Sequence, residues 1–410
     1  MGFLGLFRDT DMQNSQMPKI DYSKGPVLEI QPDVPWADTL VFNPAIVKEP
    51  GSADLHMLFR GIGPWPQART NNGGDPYPCF LGYAVSKDNG VTWQADWSRP
   101  ALSPAMNYKA DEIRVKNEKG ELVVDYSNGC IEDPRLIWLD GELLLTVACR
   151  MFPPGAYWIV DDPMQCAPDW ARAGQGGLGK AATENRTVTV LYKVDLSALK
   201  ARKYDAAFQY ITHLTDPDRS DNRDAFLFPE RMMIDGRMQY VLIHRPKDPY
   251  AFPLGSNPGT LNIYVTAADS FRGFLLPSLK HEILAEPQEK WEANRIGASF
   301  PPIRISDSEW LLPTHGKQDD IVGYTQSFMI LKDRPNQLPV VSHRCTERLM
   351  YAKQKWELEG RFTIPCMFPC GAVVIDGELI IGYGAADERI GIARVNFDEL
   401  VSYIRRFPVK

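Results

Sequence analysis

The sequence has few of the features that mark nucleic-acid-binding or membrane proteins. Its 45 Lys and Arg residues are outnumbered by 52 Asp and Glu residues, and no run of five basic residues occurs. A nucleic-acid partner is therefore not expected. No apolar run approaches the length of about 18 residues that crosses a bilayer, so no membrane partner is expected either.

Cysteine is scarce, and its placement argues against disulfides and metal sites. The seven cysteines cannot all pair, and most lie in apolar runs where a thiol behaves as a small hydrophobe. Cys366 and Cys370 do not have the spacing of a zinc knuckle, and no matching histidine pair follows. We therefore expect reduced thiols, no metal and no cofactor. The first residues lack the basic leader and cleavage site of a secretory signal, so we expect a cytoplasmic protein.

Sequence patterns typical of helices are also scarce, whereas one pattern typical of β-strands occurs five times. Each copy has a proline, a short apolar run, a turn that is usually Asp-Gly, and a second apolar run that ends in a polar residue. The copies begin at Phe42, Ile131, Phe226, Ala298 and Met367. Asp-Gly supplies the positive φ angles of a tight hairpin turn, so each copy is predicted to be a β-hairpin.

The spacing of the copies predicts the architecture. They lie roughly 70 to 95 residues apart, which leaves room for about four strands per unit. Radial repetition of such units leaves few exposed sheet edges, so we predict an all-β, five-bladed β-propeller that forms a single domain over residues 1–410. An N-terminal extension (about 1–35) and a C-terminal helix clasp (about 396–405) complete the prediction, with Asn396 as the helix cap. The longest non-repeating stretch, about 151–186, is predicted to be an elaborate loop.

The repeat also predicts where polar side chains converge. In a propeller the innermost strands run along the central channel, so equivalent residues of successive blades meet at one mouth. The predicted ring contains Asn43, Arg60, Glu132, Asp133, Arg150, Asp224, His244, Arg245, His315 and Asp387. A single such residue is usually a solvated charge or a turn residue, but several carboxylates and guanidinium groups at equivalent positions indicate a binding pocket.

Such a pocket suits the cleavage of a glycosidic bond. In that reaction a protonated carboxyl group supplies a proton to the leaving oxygen, and Asp133 is the candidate acid. Several loop tryptophans, Trp36 and Trp97 among them, offer flat faces to sugar C–H groups, although most aromatic residues of a β-protein belong to its core. The predicted partner is an oligosaccharide, and the sequence is compatible with a homo-oligomer.

Segments spread over the chain from about residue 40 resemble glycoside hydrolase family 130. The matching motifs are Phe42-Asn-Pro-Ala45, Ile131-Glu-Asp-Pro-Arg135, Asn222-Arg-Asp-Ala225, His244-Arg-Pro246, Arg295-Ile-Gly-Ala298, Phe368-Pro-Cys-Gly371 and Tyr383-Gly-Ala-Ala-Asp387. The resemblance implies a five-bladed propeller that acts on β-mannosides with inversion at the anomeric carbon. It implies either a phosphorylase, which uses inorganic phosphate to release mannose 1-phosphate, or a hydrolase of β-1,2-linked mannosides.

The resemblance also implies roles for individual residues that would bind sugar. Asp133 corresponds to the family's proton donor, which is thought to act through the 3-hydroxyl group of the bound mannose. Asn43, Arg60 and Asp387 correspond to residues that hold the sugar in the −1 subsite. Asp224, from the predicted ring, is added as a further substrate-binding residue.

Three residues are predicted to bind phosphate. His244 matches the family's phosphate-contacting histidine, Arg223 stands where its phosphorylases usually carry lysine, and Arg150 can add a further contact. Phosphate is already a nucleophile, so phosphorolysis needs one carboxylate and a cationic pocket. Hydrolysis needs a second carboxylate to activate water. The cationic residues therefore favour phosphorolysis.

Three other functions stay open at the level of the sequence. An inverting β-mannosidase would use Glu132, Asp224 or Glu230 as its base. A sialidase is suggested by one motif from Ser86 to Trp93, which is more often an ordinary strand turn. A propeller can also be a non-catalytic carbohydrate- or protein-binding module.

Overall fold

The computed structural model of the protein describes residues 17–63, 78–152, 169–184, 186–247, 261–360 and 364–409. Within these ranges the strands form five sheets of four or five strands each and one separate two-stranded hairpin. The innermost strands of neighbouring sheets pack against one another. The predicted all-β, five-bladed β-propeller is therefore confirmed.

The strands follow the blades in chain order. Two short N-terminal strands, β1 and β2, span Asp21–Tyr22 and Leu28–Glu29. Blade 1 consists of β3 to β6, at Leu40–Lys48, Leu55–Ile62, Cys79–Ser86 and Gln94–Ala95. The separate hairpin, β7 and β8, spans Arg114–Lys116 and Leu122–Val124. Blade 2 consists of β9 to β12, at Cys130–Leu139, Glu142–Arg150, Val188–Val194 and Phe208–His213.

The remaining three blades follow without a break in the order. Blade 3 consists of β13 to β17, at Asn222–Leu227, Met232–Ile234, Arg237–Pro246, Ile263–Ala268 and Glu282–Ala285. Blade 4 consists of β18 to β22, at Arg295–Ala298, Ile303–Ser306, Glu309–Lys317, Tyr324–Arg334 and Gln337–Arg344. Blade 5 is built on β23 to β25, at Met367–Ile375, Glu378–Ala385 and Arg389–Asn396.

Helices in the described ranges are short. The α-helices, α1 to α6, span Asp169–Arg172, Gly179–Thr183, Leu196–Lys200, Tyr204–Ala207, Lys355–Leu358 and Phe397–Ile404. The 3-10 helices span Gln175–Gly177, Phe271–Leu275 and Lys290–Glu292. None of these helices has the length and apolar character needed to cross a bilayer. Residues 153–168 and 185 of the predicted 151–186 loop lie outside the described residues, and the described remainder includes α1 and α2.

The Asp-Gly turns form the expected tight hairpins. At Asp140-Gly141, Asp235-Gly236 and Asp376-Gly377, both residues of each pair have positive φ angles, between 49° and 80°. This is the backbone of a two-residue turn whose twist matches that of the flanking strands. The local turn chemistry therefore sets the pairing of the two innermost strands in blades 2 and 5.

Apolar clusters between the blades stabilise the ring. Adjacent residues of a strand point to opposite faces of its sheet, so each blade can join a cluster on both sides. In blade 1, Met57 lies in the cluster shared with blade 5, and Leu58 lies in the cluster shared with blade 2. In blade 2, Leu144 lies in the cluster shared with blade 3, and Leu145 lies in the cluster shared with blade 1. Full burial of each such side chain stabilises the fold by about 1.5–3 kcal/mol.

Both ends of the chain help to close the ring at blade 5. Strands β1 and β2 both pair with β25, so the segment expected to be an N-terminal extension supplies the outermost strands of the last blade. Helix α6 begins after Asn396, whose side chain accepts a hydrogen bond from the backbone of Glu399 at 3.0 Å. Its buried face joins an apolar cluster formed by blades 4 and 5, and Tyr403 donates a hydrogen bond to Glu347 at 2.6 Å.

Candidate active site

Three polar residues of the innermost strands share an unusual backbone conformation. Asn43, Asp133 and Asp224 have φ angles of 48°, 49° and 49°. Each lies at a bulge, where the register between the first strand and its partner shifts. Left-handed backbone at a non-glycine residue costs about 1–3 kcal/mol and clusters at functional sites, where bulges re-aim side chains. The bulges bring polar groups from three successive blades to the central channel.

Asp133, the candidate acid, is held on one side by its neighbours. Its Oδ1 accepts hydrogen bonds from Asn43 at 2.8 Å and from Arg60 at 3.3 Å, while its backbone carbonyl accepts one from Arg135 at 3.0 Å. The side chain is 19% exposed. Its Oδ2 has no hydrogen-bond partner in the part of the chain that the structure describes. This second oxygen is therefore available to a substrate hydroxyl group.

Glu132, the residue before the acid, lies between guanidinium groups. Arg60 contacts its Oε2 at 3.3 Å and Arg150 contacts its Oε1 at 3.0 Å. Burial disfavours the charged carboxylate, but Arg60, Arg150 and Arg223 outweigh that effect and hold the pKa of Glu132 at about 2. Glu132 is therefore an anion across the physiological range, and its two oxygens bind arginine.

Arg223 lies beside this pair and is exposed. Against the effect of burial, its charge helps to lower the pKa of Asp221. The guanidinium group of Arg223 makes no hydrogen bond or ion pair within the described ranges, so its donors are available to a ligand. The structure thus brings two predicted phosphate-binding residues, Arg150 and Arg223, to the same carboxylate.

Asp387 approaches the acid from blade 5. It follows the end of β24 with a φ angle of 54°, and its Oδ1 accepts a hydrogen bond from the thiol of Cys366 at 3.4 Å. Burial chiefly raises the pKa of Asp387 to about 6, with the carboxylates of Asp133 and Glu132 adding to the effect against the attraction of Arg60. Asn43, Arg60, Asp133 and Asp387 therefore form one group, and their role as a sugar-binding subsite stays a prediction.

Asp224 lies beneath this group and is 3% exposed. Its Oδ1 contacts Arg135 at 3.2 Å, while its Oδ2 contacts Arg245 at 2.6 Å and His315 at 3.3 Å. Burial opposes its charge, yet Arg245, His315 and Arg135 hold its pKa well below the usual range. Both carboxylate oxygens are engaged, so the structure replaces the predicted sugar contact of Asp224 with contacts that position its neighbours.

His244 is buried behind the channel wall. Its Nδ1 lies 2.9 Å from the side-chain nitrogen of Asn222, and its Nε2 lies 3.0 Å from Nδ1 of His281. Burial, together with the neighbouring His281 and Arg219, holds the pKa of His244 well below its usual value. The ring is therefore neutral with both nitrogens engaged, and the predicted phosphate contact would require one of these bonds to be exchanged.

Blade 4 contributes two residues, Arg295 and Lys317, to which the sequence analysis assigned no role. Lys317 ends β20 opposite Arg295, the first residue of β18, just as Arg150 ends the second strand of blade 2. Arg295 donates to the hydroxyl of Tyr324 at 3.3 Å, and the Lys317 ammonium lies 5.6 Å from the centre of the same ring. The signal was present in the repeat, since the fourth copy continues two residues past His315 to this lysine.

Arg135 is a third residue without an assigned role, although it lies in the quoted motif Ile131-Glu-Asp-Pro-Arg135. It is 2% exposed and donates hydrogen bonds to the carbonyls of Asp133 and Ser299, both at 3.0 Å, and to Asp224. These contacts join blades 2, 3 and 4 beneath the acid. The position of Arg135 two residues after Asp133 is readable in the sequence, but the inward direction of its side chain is not.

Two glycines allow these groups to pack so closely. A Cβ atom at Gly384 would lie 2.4 Å from Oδ1 of Asn43, and one at Gly297 would lie 2.6 Å from Oδ2 of Asp224. Both distances are shorter than any ordinary carbon–oxygen contact. The channel wall therefore needs glycine at each of these positions.

Other predicted features lie away from the channel or serve the fold. Trp36 stacks on Phe59 and lies against Trp97 within an apolar cluster, so it is one of the aromatic residues that belong to the core. The Ser86–Trp93 motif is a turn in which Asp88 accepts a hydrogen bond from Thr92 at 2.6 Å. In the described ranges, no three His, Cys, Asp or Glu side chains are grouped so that they could hold a metal ion.

Comparisons with known proteins point to one group of enzymes. A family model described as beta-1,4-mannooligosaccharide phosphorylase matches residues 181–406. A 1,2-beta-oligomannan phosphorylase from Thermoanaerobacter sp. (strain X514) is 25% identical over 385 residues, which cover 92% of this chain and 97% of that protein. A beta-1,4-mannooligosaccharide phosphorylase from Ruminococcus albus is 30% identical over 190 residues, covering 45% of this chain and 51% of that protein.

A solved structure shows that the fold is shared. The beta-1,2-mannobiose phosphorylase from Listeria innocua, in complex with beta-1,2-mannobiose, superimposes with a TM-score of 0.63 at 17% identity. The match covers 94% of this chain and 99% of that chain. The five-bladed architecture therefore extends over nearly the full length of both proteins.

Proposed function

The chain belongs to glycoside hydrolase family 130, and we propose that it is a phosphorylase that cleaves β-mannosides with inorganic phosphate as its co-substrate. The products are mannose 1-phosphate, formed with inversion at the anomeric carbon, and a shortened acceptor sugar. The observation that carries this proposal is the cluster of Arg60, Arg150 and Arg223 around Glu132, immediately beside Asp133.

The acid and the cationic cluster lie close enough to act on one substrate. Arg60 contacts both Asp133 and Glu132 at 3.3 Å, so a single side chain links them. Asp133 donates a proton toward the leaving oxygen, directly or through a substrate hydroxyl group, from its unengaged Oδ2. Asn43, Arg60 and Asp387 hold the mannose, and Asp224 positions Arg245 and His315 beneath it.

Arg150 and Arg223 bind the phosphate in this proposal. A guanidinium group presents paired donors that match phosphate oxygens, and the donors of Arg223 are not engaged by the described residues. Glu132 holds Arg150 through its 3.0 Å contact and so orients it toward the ligand. His244 stands behind this group and orients Asn222, the neighbour of Arg223 in β13.

The residues that could activate water are poorly suited to that task, which supports phosphorolysis over hydrolysis. Glu132 has a pKa of about 2, so it is a weak base, and both of its oxygens bind arginine. Asp224 is buried with both oxygens in ion pairs. Glu230 pairs with Arg304 beyond the far end of β13, away from the channel mouth.

We further propose a cytoplasmic location, which fits an enzyme that consumes inorganic phosphate and yields a sugar phosphate. A charged product of that kind is retained inside a membrane, since transfer of an ion into an apolar phase is strongly unfavourable. Cell fractionation followed by detection of the protein tests the location independently of the activity. Recovery in the extracellular or envelope fraction would contradict it.

The experiment is incubation of the protein with β-1,2- and β-1,4-mannobiose in the presence and absence of phosphate. We expect mannose 1-phosphate only when phosphate is present, and we expect Asp133→Asn to abolish its formation. Equal release of mannose with and without phosphate would instead show hydrolysis.

A variant pair tests the phosphate site itself. Arg223→Gln removes one charge-assisted hydrogen bond, worth about 1.5 kcal/mol, so the KM for phosphate should rise roughly tenfold. The KM for mannobiose should change much less. Arg99→Gln is the matched control, because Arg99 is an exposed arginine that pairs with Asp205 on the surface. An unchanged KM for phosphate in Arg223→Gln would remove that residue from the site.

A further inference from the structure

Two cysteines from neighbouring blades lie beside the arginine cluster. Cys79 is the first residue of β5 in blade 1, and Cys130 is the first residue of β9 in blade 2. The two strands are in contact, and neither thiol is in a disulfide. Both belong to a small apolar cluster with Phe42 and Ile62 next to the channel. None of the roles proposed above uses this pair.

Each of these thiols touches a residue of the cationic cluster. Cys79 Sγ accepts a hydrogen bond from Arg60 at 3.4 Å, and Cys130 Sγ donates one to Glu132 at 3.2 Å. Arg60 and Glu132 are themselves 3.3 Å apart. The four side chains therefore form one continuous series of contacts with a thiol at each end, so a change at either sulfur atom acts directly on the arginine or the glutamate.

The two thiols differ in reactivity for a physical reason. Burial disfavours the thiolate of Cys79, but the neighbouring Cys130 and the charge of Arg60 outweigh it and lower the pKa. Burial, the neighbouring Cys79 and the carboxylate of Glu132 raise the pKa of Cys130. A thiol beside a guanidinium group is the usual setting of a reactive cysteine, so Cys79 is the nucleophile and Cys130 the protonated partner.

We propose that Cys79 and Cys130 are a redox modification site, at which a peroxide forms a reversible disulfide that inactivates the neighbouring active site. The thiolate of Cys79 attacks one oxygen of hydrogen peroxide, the O–O bond breaks, and a sulfenic acid and hydroxide form. The hydroxide takes up a proton and leaves as water. The sulfur of Cys130 then attacks the sulfenic sulfur, and the second hydroxide leaves with the Cys130 proton as water.

The balance of the reaction is two thiols oxidised and one peroxide reduced to two water molecules. Hydrogen peroxide is little larger than water, so it can enter along Arg60, whose side chain is 16% exposed. A dithiol such as dithiothreitol reverses the reaction by exchange through a mixed disulfide. The site therefore responds to peroxide and recovers in a reducing environment.

Disulfide formation disturbs the cluster because the sulfur atoms must approach to about 2.05 Å. Cys130 loses the proton that it donates to Glu132, and Cys79 is drawn away from Arg60. Arg60 also holds Asp133, so the acid moves with it. A misplacement of about 1 Å in a catalytic group can lower a rate by roughly 100-fold, and we expect a loss of about 10- to 100-fold in kcat.

The experiment treats the reduced, full-length protein with graded hydrogen peroxide and makes two measurements. Mass spectrometry of a non-reduced digest looks for a linked peptide pair that contains residues 79 and 130. Phosphorolysis of mannobiose is assayed before oxidation, after oxidation and after dithiothreitol. The activity measurement depends on the proposed function, whereas the linked peptide does not, so failure of one can be told from failure of the other.

Three variants sharpen the test. Cys79→Ser should retain its own starting activity under peroxide, and Cys130→Ser should form no linked peptide, while Cys345→Ser should be inactivated like the natural protein. Cys345 is a buried thiol in the apolar cluster between blades 4 and 5, which makes it a matched control. If one of the two serine variants has a Tm well below that of the natural protein, the other variant is used to test the proposal.

The expected result is a 79–130 linkage, at least a tenfold loss of activity and its recovery with dithiothreitol. Absence of the linked peptide after peroxide treatment would overturn the proposal. So would full activity of the linked protein, or equal inactivation of Cys79→Ser. If the protein has no phosphorolytic activity at all, the binding of mannobiose to the linked and reduced forms is measured by calorimetry, and this comparison replaces the turnover assay.

Discussion

Replacement of Arg135 by methionine should destabilise the propeller by about 3–5 kcal/mol, which is the usual range when one partner of a buried ion pair is removed. Arg135 is 2% exposed and makes three hydrogen bonds that join three blades. Asp224 keeps Arg245 and His315 after the change, so its charge is not left unpaired. We therefore expect a destabilisation in the lower half of this range. The carbonyls of Asp133 and Ser299 also lose a hydrogen-bond donor.

The corresponding shift in melting temperature follows from the size of the protein. An unfolding entropy of about 2.1 cal/mol/K per residue gives roughly 0.9 kcal/mol/K for the 410 residues in one cooperative transition. A loss of about 3–4 kcal/mol then lowers the Tm by about 3–5 °C, measurable by differential scanning calorimetry.

A surface variant provides the comparison. Arg237 is 73% exposed and pairs with Asp269 at 3.2 Å, so Arg237→Met should change the Tm by about 1 °C or less. If Arg135→Met melted no lower than Arg237→Met, the reasoning that its three contacts stabilise the ring would be refuted. Because Arg135 also holds the backbone of Asp133, kcat should fall more than the KM for mannobiose rises.

Two further variants test the packing and the charge of the site. A Cβ atom at Gly384 would displace Asn43 from Asp133, so Gly384→Ala should lower kcat at least tenfold. Gly25→Ala is the control, because its Cβ atom would meet open space and should leave kcat unchanged. Equal activity of the two variants would contradict the packing argument. Between pH 3.8 and about 6, folded Asp387 retains a proton that the unfolded chain has lost, so stability falls as the pH rises through this window. Denaturant titrations at pH 4 and pH 6.5 measure this fall in stability, and Asp387→Asn should remove it. A fall of the same size in both proteins would count against the raised pKa of Asp387.

The parts of the fold that could be predicted are those fixed by local chemistry. Asp140-Gly141 and Asp376-Gly377 specify two-residue turns whatever surrounds them, and the repeated apolar runs then set the blades. The strand that closes the ring was not predictable in this way. β1 contains only Asp21 and Tyr22, which is too short to carry a strand pattern, and its pairing depends on a partner at the other end of the chain.

The candidate site divides in a similar manner. Asp133 and Asn43 occupy equivalent positions of the repeat, so their convergence follows from the architecture. Asp224 occupies the same position in blade 3, but it is buried under Arg135 and Arg245, and burial depends on side chains from other blades. His244 is misleading for the same reason, since the sequence shows an ionisable ring but not the neighbours that keep it neutral.

The closure of blade 5 by the N-terminal strands has a consequence for the order of events during synthesis. Blades 1 to 4 are each built from a continuous segment and can fold as they leave the ribosome, whereas Asp21 and Tyr22 are made early and have no partner until β25 emerges. Until β1 pairs with it, β25 presents an unpaired edge to which a second nascent chain can add its own β1. The pairing of β1 and β2 with β25 is thus the step at which neighbouring nascent chains on one polysome are most prone to exchange strands.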